Sequence, residues 1–378
     1  MSHVEIAGAG LSGLTAAAAF AKAGWSVRVH EKSSELREIG AGIYLWENGL
    51  RALEEIGAYD VVVEQGEWVE EPLLRDHRGQ TLQEEWLQNH RLVTVGRRHL
   101  HRSLVENARR LGVEIKTESP ITGALPNGTL IGADGTEHRG DLAIGADGVY
   151  SKVRDALGLR NSLVDLRDGG GRHIVPRTAD DPVGRTIEQW NGGRRIGIVP
   201  CSPEETYIFL CCPADDHAGR NQRPFAPDVW IESFPEFRSQ LERIPADTEG
   251  RWAPFHDVTV SSWRAGRTVL VGDAAHAMSP NLGQAACVAM TNAVSLAVHA
   301  SNSRHLDMAL RSWEQQMRPI ADGVQRYSRI YGKVGTHWPR PLLDIRSALV
   351  KRLTSSRRVQ GAINFAAEHY PAGHVRTP

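Results

Sequence analysis

The stretch that decides the fold runs from Val4 to Glu31 and reads VEIAGAGLSGLTAAAAFAKAGWSVRVHE. A short apolar run, Val4 to Ile6, meets the loop Gly8-Ala9-Gly10-Leu11-Ser12-Gly13. An alanine-rich helical pattern follows from Leu14 to Ala23, and Gly24 closes it. Ser26 to His30 then alternates as a strand and ends at Glu31. Strand, glycine loop, helix, strand and terminal acid stand at the spacing of a dinucleotide-binding unit. Gly8 allows the tight turn, Gly10 lets the backbone approach a pyrophosphate, and Gly13 lets helix and strand pack closely. The helix start faces the anion with free N–H groups and the positive end of its dipole. Glu31 is placed to accept hydrogen bonds from both ribose hydroxyls, and an acid there disfavours a 2′-phosphate.

Outward from this unit, 378 residues suggest about two domains with a shared core. The formal net charge of -1 gives no bulk attraction to nucleic acid or to an anionic membrane. Cys201, Cys211, Cys212 and Cys287 show no CxxC spacing, so free thiols in a reducing cytoplasm are expected. The start MSHVEIAGAG lacks the basic and apolar regions of a signal peptide, and no apolar run is long enough to span a bilayer. Neither a metal-ligand cluster nor a second GxGxxG is visible.

Residues 32–48 hold Gly40 and Gly42 and read as a loop passing close to a ligand. A helix is predicted over Gly49 to Ile56, strands and turns over Val62 to Trp86, and a strand over Arg91 to Val95. Arg97 to Leu111 is an amphipathic helix, with Arg97 at its start in reach of a phosphate or a ribityl chain. Short strands at Val113 to Lys116, Thr129 to Ile131 and Asp141 to Ile144 lead to Gly145-Ala146-Asp147-Gly148. From Asn161 to Trp263 the texture changes to alternating runs, read as an inserted antiparallel sheet with one helix over Trp230 to Leu241. Strand Val269 to Val271 then breaks at Gly272-Asp273, passes Pro280, Asn281 and Gly283, and enters helices over Gln284 to Ala300 and Leu306 to Tyr331. A basic helical region spans roughly Pro341 to Glu368. The expected parts are therefore 1–160, 161–263, 264–335 and 336–378, with the first and third forming one nucleotide domain.

Three motifs stand in order: GAGLSG with Glu31, GADG at Gly145 to Gly148, and GDAAHAMSP at Gly272 to Pro280. Along essentially the whole chain this resembles the single-component FAD-dependent aromatic hydroxylases, the para-hydroxybenzoate and salicylate hydroxylase class. The segment HEKSSELREIGAGIYLWENGL is also similar to the branch acting on hydroxylated pyridine carboxylates, such as the 2-methyl-3-hydroxypyridine-5-carboxylate oxygenases. The resemblance implies an α/β fold. Its core would be a Rossmann-type, glutathione-reductase-like FAD domain with an interleaved antiparallel-sheet substrate domain and C-terminal helices. It implies that Gly8, Gly10, Leu11, Ser12, Gly13, Glu31 and Lys32 hold the ADP half of FAD. Arg97 would contact the flavin side, Asp147 would lie near the cofactor and a nicotinamide route, and Gly272 and Asp273 would hold ribityl or pyrophosphate oxygens. Pro280, Gly283, Gln284 and Ala285 would line the flavin ring. The chain departs from the family pattern at Ala285, at Cys287 and at Asn292.

The same resemblance implies the chemistry. NADH or NADPH, docking transiently, reduces FAD, and O2 gives a flavin hydroperoxide that passes one oxygen to an electron-rich ring. The expected substrate is a small hydroxylated aromatic or pyridine-type acid, with two outcomes left open: hydroxylation alone or hydroxylation with ring opening. Tyr44, Arg195, Tyr207 and Pro280 are the candidate catalytic residues, with Arg195 pairing a substrate carboxylate. His276 is expected to fix its loop by a hydrogen bond. No metal, nucleic-acid or membrane partner is expected, and the assembly is monomer or homodimer. Alternatives are a same-fold reductase or oxidase, a halogenase, or a non-enzymatic FAD-binding protein. The Trp-x-Trp-x-Ile-Pro signal of halogenases is absent.

Overall fold

The computed structural model describes residues 1–36, 41–83 and 90–371. Its organising element is a six-stranded sheet built on the opening unit. The apolar run forms β1 (His3–Ala7), the small-residue helix α1 (Leu11–Lys22) crosses over, and β2 (Ser26–His30) returns parallel to β1. On the other side of β1 lie β12 (Leu142–Gly145) and then β19 (Thr268–Leu270), both parallel to their neighbours. The edges are β8 (Glu114–Lys116) and the antiparallel β18 (Arg264–Ala265). The three sequence motifs thus sit at the carboxyl ends of three adjacent parallel strands, β1, β12 and β19. Parallel sheets expose their binding crevice at that edge. Strands far apart in sequence meet there because β19 returns to the sheet after the whole inserted region.

The insertion forms a second, seven-stranded sheet. Its order is β17 (Ala253–Val260), β13 (Arg160–Pro176), β16 (Glu205–Pro213), β15 (Arg194–Pro200), β14 (Arg185–Asn191), β5 (Glu71–Arg75) and β6 (Thr81–Gln83). All neighbours pair antiparallel except β14 and β5, which run parallel. Residues 71–83 therefore belong to this sheet, although they precede it by many residues in the chain. A small sheet of β3 (Gly42–Trp46), β7 (Leu92–Gly96) and β4 (Glu67–Trp68) joins the two large ones.

Four helices cover the nucleotide sheet and the junction: α1, α2 (Glu47–Ile56), α4 (Arg97–Arg110) and α10 (Ala285–Ser301). Small side chains let them pack closely; a Cβ on Gly49 of α2 would lie 2.6 Å from the Cys287 sulfur of α10. The apolar core runs without interruption through these elements, with Leu14, Phe20, Leu50, Leu104, Met290 and Leu296 fully buried. A long helix, α11 (Leu306–Thr336), spans from this core to the second sheet. Beyond it α12 (Leu343–Thr354) and α13 (Arg357–Asn364) form the expected C-terminal helical region. No helix among the described residues is long and apolar enough to cross a membrane.

The single helix predicted over Trp230 to Leu241 is instead three short pieces, Asp228–Ile231, Pro235–Phe237 and Arg238–Glu242. Pro235 has no N–H to continue the ladder, and Phe234 before it leaves the helical conformation at φ -139°, ψ 66°. The apolar spacing was real nonetheless: Trp230, Phe234, Phe237 and Leu241 are all buried in one cluster. The region predicted as strands and turns from Val62 begins with a short helix, Tyr59–Val63. Gly40 and Trp86, singled out above, lie outside the described residues.

Candidate active site

One cavity of about 680 Å³ runs from the glycine loop to the face of the second sheet. At its first end Gly8 adopts φ +102°, and a Cβ there would lie 2.5 Å from the Ala146 carbonyl oxygen. A Cβ on Gly13 would meet the Gly8 carbonyl oxygen at 2.0 Å, so Gly13 serves the helix–strand contact and does not itself line the cavity. Gly10 does line it, and a Cβ there would meet no protein atom within 4 Å. Leu11, Ser12, Glu31 and Lys32 complete this end. Glu31 accepts the Ala9 N–H and the Ser33 N–H, each at 2.9 Å, so its carboxylate first braces the loop and offers its remaining lone pairs to a ligand. His30, which the sequence reading passed over, also lines this end and is held by Glu5 at 2.8 Å.

The middle of the cavity is formed by the two other motifs and by Arg97. Arg97 opens α4 and donates its N–H to the Ala41 carbonyl at 2.7 Å. Asp147 lines the cavity, but its carboxylate is committed to the next helix, α5 (Lys152–Ala156). It accepts Ser151 Oγ–H at 2.5 Å, the Lys152 N–H at 2.7 Å and the Val153 N–H at 3.1 Å. The expected cofactor-side acid is therefore first a helix cap. Asp273 opens the short helix Asp273–His276 behind Gly272, and both residues line the cavity.

The loop after it turns through Pro280–Leu282 and reaches Gly283 at φ +63°. A Cβ on Gly283 would sit 3.2 Å from the Tyr44 ring, which fixes this loop against β3. Pro280, Gly283 and Ala285 line the cavity; Gln284 is buried and is not among the lining residues. The departures from the family pattern find local partners. Cys287 accepts the Trp46 N–H and donates to the Tyr44 carbonyl, both at 3.4 Å, across the β3–α10 contact. The Asn292 amide donates to His276 Nε2 at 3.1 Å. Burial pushes His276 down to about 4, so it is neutral and serves its loop through that bond.

At the far end the second sheet supplies Thr186, Glu188, Arg195, Tyr207, Phe209 and Arg172. Tyr207 is buried, and burial pushes its phenol up to about 12 against the nearby Arg172 guanidinium. Burial likewise raises the Tyr44 phenol well above its ordinary value, with Thr186 as its hydrogen-bonding neighbour. Arg195 lines the cavity but does not face it as a free cation. Its Nη2 donates to Asn281 Oδ1 at 2.7 Å, and Glu188 and Asp168 stand at 3.6 Å and 3.9 Å. The carboxylates expected opposite Arg195 are thus the protein's own. Arg172, by contrast, has no carboxylate within ion-pair distance among the described residues. The sequence analysis did not single it out: three glycines, Gly169-Gly170-Gly171, precede it and interrupt the alternation of side chains. Those glycines lie inside β13, where Trp252, Cys211 and Gln222 pack where their side chains would be.

Removing the guanidinium would strand two carboxyl groups that burial already disfavours as ions. Arg195→Met is therefore expected to lower stability by about 3–5 kcal/mol, the range for breaking a buried pair from one side. The deficit narrows as pH falls, because both carboxyls have raised values and protonation removes their need for a cation. Thermal melting of wild type and variant across pH checks this; a pH-independent deficit under about 1 kcal/mol would remove Arg195 from the charge balance.

The geometry fits FAD: a glycine loop open to the cavity at Gly10, an acid at the ribose position and a cavity that continues past the Gly283 loop. Residues 1–324 match the family model described as FAD binding domain. The chain belongs to this FAD-binding family of flavoprotein monooxygenases. This monooxygenase is 34% identical over 373 residues to 2-heptyl-3-hydroxy-4(1H)-quinolone synthase of Mycobacteroides abscessus, covering 94% of its own chain and 98% of the relative. It is 36% identical over 330 residues to a probable 2-heptyl-3-hydroxy-4(1H)-quinolone synthase, AqdB2, of Rhodococcus erythropolis, covering 85% and 86%. Among solved structures it resembles the tetrameric form of 2-methyl-3-hydroxypyridine-5-carboxylic acid oxygenase, with TM-score 0.88, 37% identity and coverage of 99% and 98%. FAD is accordingly the cofactor of the monooxygenase, and its fold is that of the FAD-dependent aromatic hydroxylases.

Proposed function

We propose that the monooxygenase hydroxylates a small N-heteroaromatic ring bearing an acidic oxygen, with NADH or NADPH as electron donor and O2 as oxidant. The observation that carries this reading is Arg172, a cavity-lining guanidinium beside Tyr207 with no carboxylate partner among the described residues. A cation left uncompensated in a partly closed cavity favours an anionic ligand. The relatives' names support the ring class, since a hydroxyquinolone and a hydroxypyridine carboxylate are both oxygen-bearing N-heteroaromatics. Reduced FAD supplies the activated oxygen; the protein's own residues bind, orient and shield the ring. In this reading the glycine loop, Glu31 and Lys32 hold the ADP half, and Arg97, Asp273 and the 280–285 loop hold the flavin half. Tyr44 keeps that loop in place, Arg172 and Tyr207 fix the acidic oxygen, and Phe209 and Pro280 offer flat apolar faces. Residues 161–263 with the strands at 71–83 form the substrate side.

The test is NADH and NADPH oxidation by the FAD-loaded protein with hydroxypyridine carboxylates, 4(1H)-quinolones and plain benzoates, followed by mass analysis under isotope-labelled dioxygen. Acid-bearing N-heteroaromatics are expected to accelerate oxidation and to gain one labelled oxygen atom. Acceleration by no aromatic, or products without label, would overturn the reading.

A further inference from the structure

Glu188 is a cavity-lining carboxyl to which the sequence reading gave no task. Its position follows from register. Arg172 on β13 pairs with Phe209 on β16, Phe209 pairs with Gly197 on β15, and Gly197 pairs with Glu188 on β14. Directly paired residues project from the same face of a sheet. Arg172, Phe209, Gly197 and Glu188 therefore form one straight row, and the three with side chains all line the cavity. Gly197 leaves the floor open, and the Phe209 ring lies over it, only 1.9 Å from where a Cβ would be. At about 4.8 Å per strand, three spacings put the end residues of the row ~14 Å apart at the backbone. With two inward-reaching side chains, that leaves room for a ring lying on Phe209 between a cation and a carboxyl.

The surroundings of Glu188 leave it able to take a proton. Oε1 accepts the Trp190 indole N–H at 2.7 Å and Oε2 accepts the Tyr331 hydroxyl at 3.0 Å. The facing charged groups are Arg195 from β15, 3.6 Å away, and beyond it Asp168 from β13. Tyr331 of α11, Tyr44 of β3 and Cys211 of β16 are the other titratable neighbours, and burial keeps all three neutral. One guanidinium thus serves two carboxyls, and with both ionised the cluster carries one uncompensated negative charge. A ring proton taken up by an ionised Glu188 removes it, and burial raises the affinity of Glu188 for that proton.

Resting on the proposed function, we infer that Glu188 is the proton acceptor that ionises the bound ring. The site therefore selects rings with an acidic oxygen at one end and an N–H or O–H donor at the other. In this step the substrate N–H or O–H bond breaks. The proton goes to a Glu188 carboxylate oxygen, and the electron pair stays delocalised on the ring. Arg172 balances the resulting anion, and the ring becomes more electron-rich where oxygen is to be added.

The experiment uses the FAD-loaded enzyme, wild type and Glu188→Gln, with a 3-hydroxypyridine-5-carboxylate and a 4(1H)-quinolone as probes. The ultraviolet spectrum of the bound probe is followed across pH, and kcat and KM are measured separately. In the variant the bound probe is expected to ionise at least about one pH unit higher. Its kcat should fall about 100-fold near neutrality and recover as pH rises, while KM and FAD content stay near wild type. A second measurement needs no variant: wild type should bind O-methyl and N-methyl probes that lack the donor yet fail to oxygenate them. Unchanged ionisation and kcat in Glu188→Gln, or full turnover of the donor-less probes, would overturn the role of Glu188 and leave the proposed function standing. Failure of wild type to oxygenate any aromatic would overturn both.

Discussion

Arg172→Met is expected to raise KM for an acid-bearing ring by roughly 30- to 150-fold while FAD stays bound. The magnitude follows from losing a charge-assisted hydrogen bond worth about 2–3 kcal/mol, with about 1.4 kcal/mol per tenfold in affinity. The choice between the two cavity arginines rests on charge counting. Arg195 already faces Glu188 and Asp168 and is tied to Asn281, so it has no charge to spare. Arg172 faces Tyr207 and the cavity. Arg172→Lys keeps the charge and loses the planar fork, so it should fall between wild type and the Met variant. Steady-state titrations of all three with the acid and with its neutral amide check this. The amide should be nearly indifferent to the substitution. Equal KM values for the acid in wild type and Met variant would move the anion site away from Arg172.

The second large effect separates two glycines of one loop. Gly8→Ala should give colourless, destabilised protein. Its φ of +102° is unfavourable for a side chain, and the new Cβ would press into the Ala146 carbonyl at 2.5 Å. That carbonyl cannot retreat easily, because the Ala146 N–H is itself bonded to the Ala7 carbonyl at 2.8 Å. Gly10→Ala is different. No protein atom lies within 4 Å of its Cβ position, and its φ of -76° suits any residue. The apoprotein should therefore melt as wild type does, yet FAD should bind at least about tenfold more weakly, since the methyl occupies the pyrophosphate's approach. Melting of the apoproteins and flavin-fluorescence titrations read the two effects apart. Normal FAD affinity in Gly10→Ala would mean that the cofactor does not pass over this residue.

The nucleotide half of the site was legible because its constraints are local. Gly8, Gly13 and Glu31 lie within one strand–helix–strand unit, and their spacing alone dictates the turn, the close contact and the terminal acid. GADG and GDAAHAMSP were legible as strand ends for the same reason. Their meeting was not derivable from spacing, because β12 lies far along the chain from β1 and β19 returns only after the long insertion; the family resemblance supplied it.

The substrate half was legible only as sheet. Alternation marks which residues share a face, and Arg195 and Tyr207 do reach the cavity as that pattern suggested. Alternation does not say which charge is already spent, and that decided between Arg195 and Arg172. Nor does it reveal register: Arg172 and Glu188 belong to one row only because four strands pair as they do. Asp147 shows the same limit, since its carboxylate is consumed by three donors of the following helix. By itself, then, the sequence determined the nucleotide unit, the alternation of the second sheet and, through resemblance, the flavin chemistry. Only the tertiary structure decided which side chains remain uncompensated in the cavity, because burial and partner geometry are set by strand pairing and not by local order.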